Sequence, residues 1–190
     1  YDKAYRGRWN GLTVISLSIG QGELGCTPLQ MANMVATVAN RGHYRIPHVV
    51  KRIHDRDSID ARFYEDHHTK VDARHFDPIV EGMYKAVNEG GTGRIAMVPG
   101  LDICGKTGTA QNPHGADHST FFCFAPRNDP KIAVSVYVEN GRFGATIAAP
   151  IASLLTELYL TDTITRPALV DYVKNMQIAY PYYEKQRKGK

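Results

Sequence analysis

The sequence is short of cysteine, and this shortage excludes a small disulfide-stabilised scaffold. Three cysteines among 190 residues are an odd number and too few to stabilise such a fold by disulfides. Cys104 and Cys123 lie on stretches that we expect to form neighbouring strands, whereas Cys26 lies far from both in the sequence. The sequence leaves a bridge between Cys104 and Cys123 open, and it favours buried free thiols.

Long apolar runs and a strong net charge are also missing. No run approaches the roughly 20 apolar residues that a membrane-spanning helix needs. The formal net charge is only +4, and much of it lies near the end of the chain, in Lys185, Arg187, Lys188 and Lys190. Such a tail is typical of a solvated end, so we expect no nucleic-acid partner. With 43% hydrophobic residues, the chain can bury a core and fits one domain or most of a larger one.

The usual sequence signatures of a nucleophilic serine are absent from these residues. There is no G-x-S-x-G elbow, no serine is followed by lysine three residues later, and no Ser-x-Asn occurs. The serines of the chain are Ser16, Ser18, Ser58, Ser119, Ser135 and Ser153. If the chain takes part in acyl transfer, these residues do not supply a recognisable nucleophile.

One stretch of the sequence combines a cation, two hydroxyls and small residues. Residues 104–111 read Cys-Gly-Lys-Thr-Gly-Thr-Ala-Gln, a pattern that predicts an edge strand. A period of two puts Lys106 and Gly108 on one face. It puts Thr107 and Thr109 on the other, although a short threonine at an edge can turn its hydroxyl toward the rim. Gly105 and Gly108 carry no Cβ, which predicts places where a ligand approaches the strand closely. Such an edge can bind an extended peptide, while the ammonium and hydroxyls hold an anionic group.

The periodicity of the remaining chain predicts a mixed α/β domain with an antiparallel meander. The predicted helices are one that begins at Pro28 and ends before Gly42, one from about Asp77 to Asn88, one from about Ala148 to Tyr159, and an amphipathic stretch over Pro167–Met176. The predicted strands are Leu12–Ile19, Ile46–Ile53, the 104–111 stretch, Ser119–Ala125 and Lys131–Glu139. Residues 54–75 are expected to form a surface connection that holds one short strand.

Two helices carry patterns that predict how they pack. The helix after Pro28 is apolar over most of its circumference and is therefore expected to be buried. In the helix of residues 148–159, the expected packing stripe consists of Ile151, Leu154, Leu155 and Leu158.

A dinucleotide site and a metal site are both disfavoured. Residues 20–25 match G-x-G-x-x-G, but Pro28 starts the helix after the third glycine, and the first acid after Glu23 is Asp55, too far along. His114, Asp117 and His118 could offer zinc ligands, but no further ligands follow at a diagnostic spacing. We therefore expect neither a cofactor nor a metal.

Several stretches together resemble the transpeptidase domain of class B penicillin-binding proteins, and most closely the penicillin-binding protein 2 type. The stretches that carry the resemblance are Ser18–Gly22 with Thr27–Asn33, Gly90–Gly93, Gly105–Gln111, Asp117–Ser119 with Phe124–Pro126, Val138–Gly141 and Ala148–Ala152. Each stretch is weak alone, but their order and spacing are specific. The resemblance covers roughly residues 5–160.

The resemblance implies a function and a set of site residues. The family cross-links peptidoglycan by D,D-transpeptidation, and its members are the targets of β-lactams. By motif, Lys106 would assist proton transfer, and the hydroxyls of Thr107 and Thr109 would bind the terminal carboxylate of a stem peptide or β-lactam. The backbone N–H of Thr109 would form half of the oxyanion hole, and Gly108 would permit close approach. Residues Gly91, Thr92 and Gly93 would border the cleft.

The two serine motifs of the family, S-x-x-K and S-x-N, precede the Ser18–Gly22 segment in its members and are not in this sequence. We therefore expect a C-terminal part of a longer enzyme, held at the periplasmic face of the inner membrane by a segment absent here, and inactive by itself. The expected fold is a partial β-lactamase/transpeptidase-like α/β fold. Its sheet would lack the family's first two strands, which leaves one flank of Lys131–Glu139 unpaired.

The resemblance also implies partners and a domain division. The expected partners are stem peptides, β-lactams, the missing N-terminal part of the same protein and the cell-elongation machinery. Residues 1–160 would belong to the transpeptidase domain, and residues 161–190 would form a helical and basic tail. A non-catalytic penicillin sensor and an oxacillin-type serine β-lactamase stay open as alternatives.

Overall fold

The structure, a computed structural model, describes residues 6–7, 9–22, 24–54 and 59–178. Its helices are α1 (Gly11–Ser18), α2 (Pro28–Ala39), α3 (Phe76–Asn88), α4 (Ala148–Thr161) and α5 (Pro167–Asn175). Its strands are β1 (His43–Tyr44), β2 (His67–His68), β3 (Cys104–Ala110), β4 (His118–Ala125) and β5 (Ile132–Val138). None of the helices in the described part of the chain combines the length and apolar character of a membrane-spanning helix. The end of the basic tail lies outside the described residues.

Strands β3, β4 and β5 form the predicted antiparallel meander, in the order β3-β4-β5. Lys106 lies opposite Phe122, and Thr107 lies opposite Phe121, so the two residues belong to different faces of the sheet. The alternation predicted from the sequence is confirmed.

The sheet is covered on both faces, as predicted. On one face Phe121 and Cys123 pack in a core with the small residues of α4. On the other face Phe124 and Cys104 pack in a second core with α2 and α3. This two-sided packing leaves the edge of β3 as the place where polar side chains can reach solvent.

The packing stripe predicted for α4 is only partly right, because Leu154 is buried and Ile151 is half-buried, but the other two members are not. Leu155 and Leu158 are 49% and 44% exposed, while the fully buried positions of the helix are small or polar. Those positions are Ala148, Ala149, Pro150, Ala152, Ser153 and Thr156, together with Glu157. Small side chains let the helix axis lie close to the sheet, so Leu155 and Leu158 are displaced to the flank.

The segment predicted as a strand at residues 12–19 is instead helix α1. Asn10 caps its start: the Leu12 N–H donates to the Asn10 Oδ1 at 2.9 Å, and the Asn10 N–H donates to the Thr13 Oγ1 at 3.5 Å. This cap outweighs the β-branched composition that favours a strand. No residue of α1 is buried. Among the described residues no strand precedes the glycines that follow α1, which further separates them from a dinucleotide motif.

Helix α2 begins as predicted but is buried on one side only. Thr27 caps it, with the Gln30 N–H donating to the Thr27 Oγ1 at 3.2 Å. Val35 is 1% exposed, whereas Leu29 is 52% exposed, so the predicted all-round burial is wrong.

The strand predicted at Ile46–Ile53 is absent, because the pairing occurs earlier in the chain. His43 and Tyr44 pair with His68 and His67, so the predicted short strand of the 54–75 connection is present as β2. Residues 46–53 pair with no other strand in the described part of the chain, and Val49 is 93% exposed.

Cys104 and Cys123 are free buried thiols. Cys104 lies opposite Phe124 and Cys123 opposite Gly105, so the two side chains project from opposite faces of the sheet. Burial raises the pKa of both thiols to about 12, which keeps them protonated and unreactive. The favoured interpretation from the sequence is confirmed, and the cross-strand bridge is excluded by the register.

Strand β5 has a hydrogen-bonded neighbour on one side only within the described residues. An unpaired strand edge is a template for pairing with another chain. We therefore expect the 190-residue chain to associate as its concentration rises, which light scattering over a dilution series would measure. A strict monomer at the highest concentration would contradict this expectation.

Candidate active site

The edge of β3 that faces away from β4 carries no strand in the described part of the chain. Lys106 is exposed at this edge, and its Nζ donates a hydrogen bond to the backbone oxygen of Thr107 at 2.7 Å. The ammonium therefore lies against the backbone of its own strand, on the face that Lys106 shares with Phe122.

The hydroxyl of Thr107 meets the glycine-rich loop of residues 90–93. The Oγ1 atoms of Thr107 and Thr92 are 2.9 Å apart, a hydrogen-bond distance in which either hydroxyl can donate. The loop packs tightly behind this contact, because a Cβ on Gly93 would lie 3.1 Å from the Ala86 oxygen and 3.3 Å from the Phe121 ring. The loop thus exposes the hydroxyl of Thr92, while Gly91 and Gly93 allow it to pack closely against Ala86.

A cavity of about 520 Å³ opens beside these hydroxyls. It is lined by Thr92, Thr107, Thr109, Phe143, Gly144, Ala145, Thr146 and Tyr172. The structure thus brings together three of the predicted site threonines. Lys106 is not in this lining because it projects from the other face of β3.

The loop of residues 143–146 forms the wall opposite Thr107, and sequence reasoning did not assign it to the site. A Cβ on Gly144 would lie 2.7 Å from the oxygen and 2.9 Å from the nitrogen of Gly108, so only glycine can approach β3 this closely. The Gly-Arg-Phe-Gly run after β5 is the sequence signal that could have found this wall.

The loop is held by the residues at the start of β4. The Ser119 Oγ donates to the Phe143 oxygen at 2.8 Å and accepts from the Ala148 N–H at 3.2 Å. The Asn140 N–H donates to the Nδ1 of His118 at 3.1 Å. His118 and Ser119 therefore position the far wall of the cavity.

The metal alternative finds no ligand cluster in the described residues. No group of three or more His, Cys, Asp or Glu side chains there is arranged to hold a metal ion. Asp117 instead accepts the Asn112 N–H at 3.1 Å, a contact within its own loop.

The glycines of β3 do not open space for a ligand in the predicted way. A Cβ on Gly108 would lie 2.6 Å from the Cγ2 of Thr120, and a Cβ on Gly105 would meet the ring of Phe121. The room left by each missing side chain is filled by β4. We expected the missing Cβ of Gly108 to leave room for a ligand. That reason is wrong, because the room is filled by Thr120.

Comparison with known proteins identifies what this arrangement is similar to. The family model described as "Penicillin binding protein transpeptidase domain" matches residues 4–157. The peptidoglycan D,D-transpeptidase MrdA of Acinetobacter baumannii is 34% identical over 179 residues, which are 85% of this chain and 26% of that protein. The chain therefore spans about a quarter of the length of that relative.

Solved structures share the fold. Pseudomonas aeruginosa PBP2, in complex with WCK 5153, aligns with a TM-score of 0.72 at 38% identity and covers 85% of this chain and 35% of its own. Penicillin-binding protein A of M. tuberculosis, as an imipenem acyl-enzyme complex, aligns with a TM-score of 0.65 at 32% identity, covering 77% of this chain and 33% of its own. Both neighbours support the mixed α/β fold expected from the sequence.

Proposed function

Because the chain belongs to the penicillin-binding protein transpeptidase domain family, we propose that it forms one wall of the active site of a peptidoglycan D,D-transpeptidase. The observation that carries the proposal is the cavity lined by Thr92, Thr107 and Thr109, which lies beside a strand edge that has no neighbouring strand in the described residues. An extended peptide can pair with that edge while the hydroxyls hold its terminal carboxylate.

The proposed reaction is acyl transfer. A serine hydroxyl attacks the carbonyl of the penultimate D-Ala, the terminal D-Ala leaves as the free amine with a proton, and an acceptor amine then displaces the serine. Lys106 provides positive charge beside the proton transfers. Thr107 and Thr109 bind the carboxylate, and Gly91, Thr92 and Gly93 border the cleft. The backbone N–H of Thr109 provides half of the oxyanion hole, and losing one such donor typically costs about 3 kcal/mol.

The nucleophile is proposed to lie in a longer parent protein that also carries S-x-x-K and S-x-N motifs. Support comes from the absence of those motifs in the 190 residues and from the greater length of the relatives. Lys106 is exposed and does not line the threonine cavity, so its ammonium is free to be approached by a residue from outside this chain. We propose that the parent is anchored at the periplasmic face of the inner membrane and works with the cell-elongation machinery.

A domain division is part of the same proposal. Residues 1–160 belong to the transpeptidase domain, and residues 161–190 form an appended helical and basic segment. The family match over residues 4–157 supports the first boundary.

Two alternatives differ from the synthase in what happens after acylation. A penicillin sensor would bind a β-lactam covalently without any transpeptidation, and an oxacillin-type β-lactamase would hydrolyse a chromogenic cephalosporin with many turnovers. The D,D-transpeptidase name of the 34%-identical relative favours the synthase. Release of D-Ala from a donor stem peptide by the parent protein would separate it from both alternatives.

The 190-residue chain by itself should form no covalent adduct with a fluorescent penicillin, because it contains no recognisable nucleophilic serine. Gel fluorescence and intact-mass measurement would check this, with the parent protein as the positive control. A stoichiometric adduct on the isolated chain would mean that the nucleophile lies among these residues.

A further inference from the structure

Helix α5 lies beyond the residues matched by the family model, yet it reaches the candidate active site. The match ends at residue 157, whereas α5 covers Pro167–Asn175. The ring of Tyr172, on this helix, lines the same cavity as Thr92, Thr107 and Thr109. One wall of the site is therefore contributed by a segment outside the matched domain.

Tyr172 also holds the loop on the far side of the cavity. Its hydroxyl donates to the Thr146 oxygen at 2.9 Å, and the Thr146 N–H donates to the Phe143 oxygen at 2.8 Å. The tyrosine is 45% exposed, so part of its ring faces the open groove. The Tyr172 side chain thus lines the cavity and also holds the loop of residues 143–146 in place through its hydroxyl.

The position of α5 is set by a buried polar network. Glu157 of α4 is 1% exposed and accepts from the Thr165 N–H at 2.9 Å, the Thr165 Oγ1 at 2.6 Å and the Arg166 Nε at 2.9 Å. Arg166 is the residue that immediately precedes α5. This network ties the start of the helix to the core, so the place of Tyr172 is determined by the fold.

The groove continues on the other side of Tyr172. A second cavity of about 670 Å³ is lined by Arg94, Ile95, Met97, Ala145, Thr165, Arg166, Pro167, Ala168, Leu169 and Tyr172. Ala145 and Tyr172 line both cavities, so they stand at the junction between them. The second cavity is largely apolar, although Arg94 and Arg166 also line it.

We propose that Tyr172 is a specificity-determining residue: with the donor carboxylate held by Thr107 and Thr109, its ring contacts the side group of the acyl donor and selects donors in which that group is bulky and apolar. This inference rests on the proposed function. The ring provides an apolar and aromatic surface for that group. The hydroxyl keeps residues 143–146 in place over β3.

The test compares Tyr172→Ala and Tyr172→Phe in the parent protein, using two labelled penicillins that differ only in a small or a bulky aromatic acyl side group. Tyr172→Ala should slow acylation by the bulky probe by about tenfold, a factor that corresponds to about 1.4 kcal/mol. Acylation by the small probe should change by less than about threefold, because that probe does not reach the ring. Tyr172→Phe retains the ring and should restore the preference for the bulky probe.

Amide hydrogen exchange supplies a readout that does not depend on acylation. Both variants lack the hydroxyl, so both should exchange faster than the unaltered protein at residues 143–146. Tyr159→Ala is the matched control, because Tyr159 is 61% exposed on α4 and lines neither cavity. It should leave both readouts unchanged.

If Tyr172→Ala slows acylation by both probes equally, or slows neither, then Tyr172 does not select donors by their side group. Unchanged hydrogen exchange at residues 143–146 would show that the Tyr172 hydroxyl does not hold this loop in place. If the unaltered parent is not acylated by either probe, the proposed function fails, and with it the selection of donors that rests on it; the exchange measurement still decides whether the hydroxyl holds the loop.

Discussion

Replacing Lys106 with alanine in the parent protein should slow acylation by a labelled penicillin by about 100- to 10,000-fold, the range typical of a lost general acid–base group. The reason lies in its position: Lys106 is the exposed cation of β3, next to the residues proposed to bind the substrate carboxylate and form the oxyanion hole. The Nζ already lies 2.7 Å from the Thr107 oxygen, so it is held at the edge of the strand rather than extended into solvent.

The measurement is the second-order rate constant of acylation, with the melting temperature as a check on folding. Because Lys106 is exposed, its replacement should leave the melting temperature nearly unchanged. Lys131→Ala is the matched control: Lys131 is also an exposed lysine of the sheet region, and its Nζ pairs with Asp129 at 2.7 Å. Acylation of the Lys106→Ala protein at the unaltered rate would show that the assignment by motif is wrong.

The sheet could be predicted from the sequence because its strands carry a local signal. Period-two alternation and turn residues identified β3, β4 and β5 to within a residue or two, and the same alternation placed Lys106 and Thr107 on different faces. Helix α3 was equally predictable, since a proline near its start and a glycine pair after its end mark its limits.

The errors arose where a local preference competed with another interaction. In α1 the Asn10 cap outweighed the β-branched residues that favour a strand. In α4 the close approach of the helix to the sheet selected alanines for the interface and left Leu155 exposed, which a hydrophobic stripe alone cannot reveal. Tertiary packing decided that case.

The site was predictable only in part, for a related reason. Thr107 and Thr109 are adjacent in a recognisable motif, so the sequence could nominate them. Phe143 and Tyr172 join the same cavity from distant points of the chain, and only the fold brings them to β3. For the glycines of β3, the sequence identified an unusual position but could not show what lies beside it. The structure shows that the side chain of Thr120 fills the space beside Gly108.

Replacing Glu157 with glutamine should lower the free energy of unfolding by about 3 kcal/mol at neutral pH, because removing one partner of a buried ion pair leaves the other uncompensated. The carboxylate is 1% exposed and receives hydrogen bonds from Thr165 and Arg166. Urea unfolding of the chain would measure the loss. Glu81→Gln is the matched control: Glu81 pairs with Lys85 and Arg127, but its side chain is 39% exposed, so solvent screens the pairs and the effect should be much smaller.

The pH dependence of the stability lost in Glu157→Gln separates the contribution of the Glu157 charge from that of its packing. Burial by itself would raise the pKa of Glu157, but the hydrogen bonds from Thr165 and Arg166 outweigh it and hold the pKa below its ordinary value. A carboxylate with a lowered pKa stabilises the folded state at any pH above its unfolded value of about 4.3, and this stabilisation is lost as the pH falls through the folded pKa. The difference between the unaltered chain and the Glu157→Gln chain should therefore be constant near neutral pH and shrink in acid. A difference that stays the same down to the most acidic pH at which the chain folds would show that packing, and not the buried charge, is what the substitution removes.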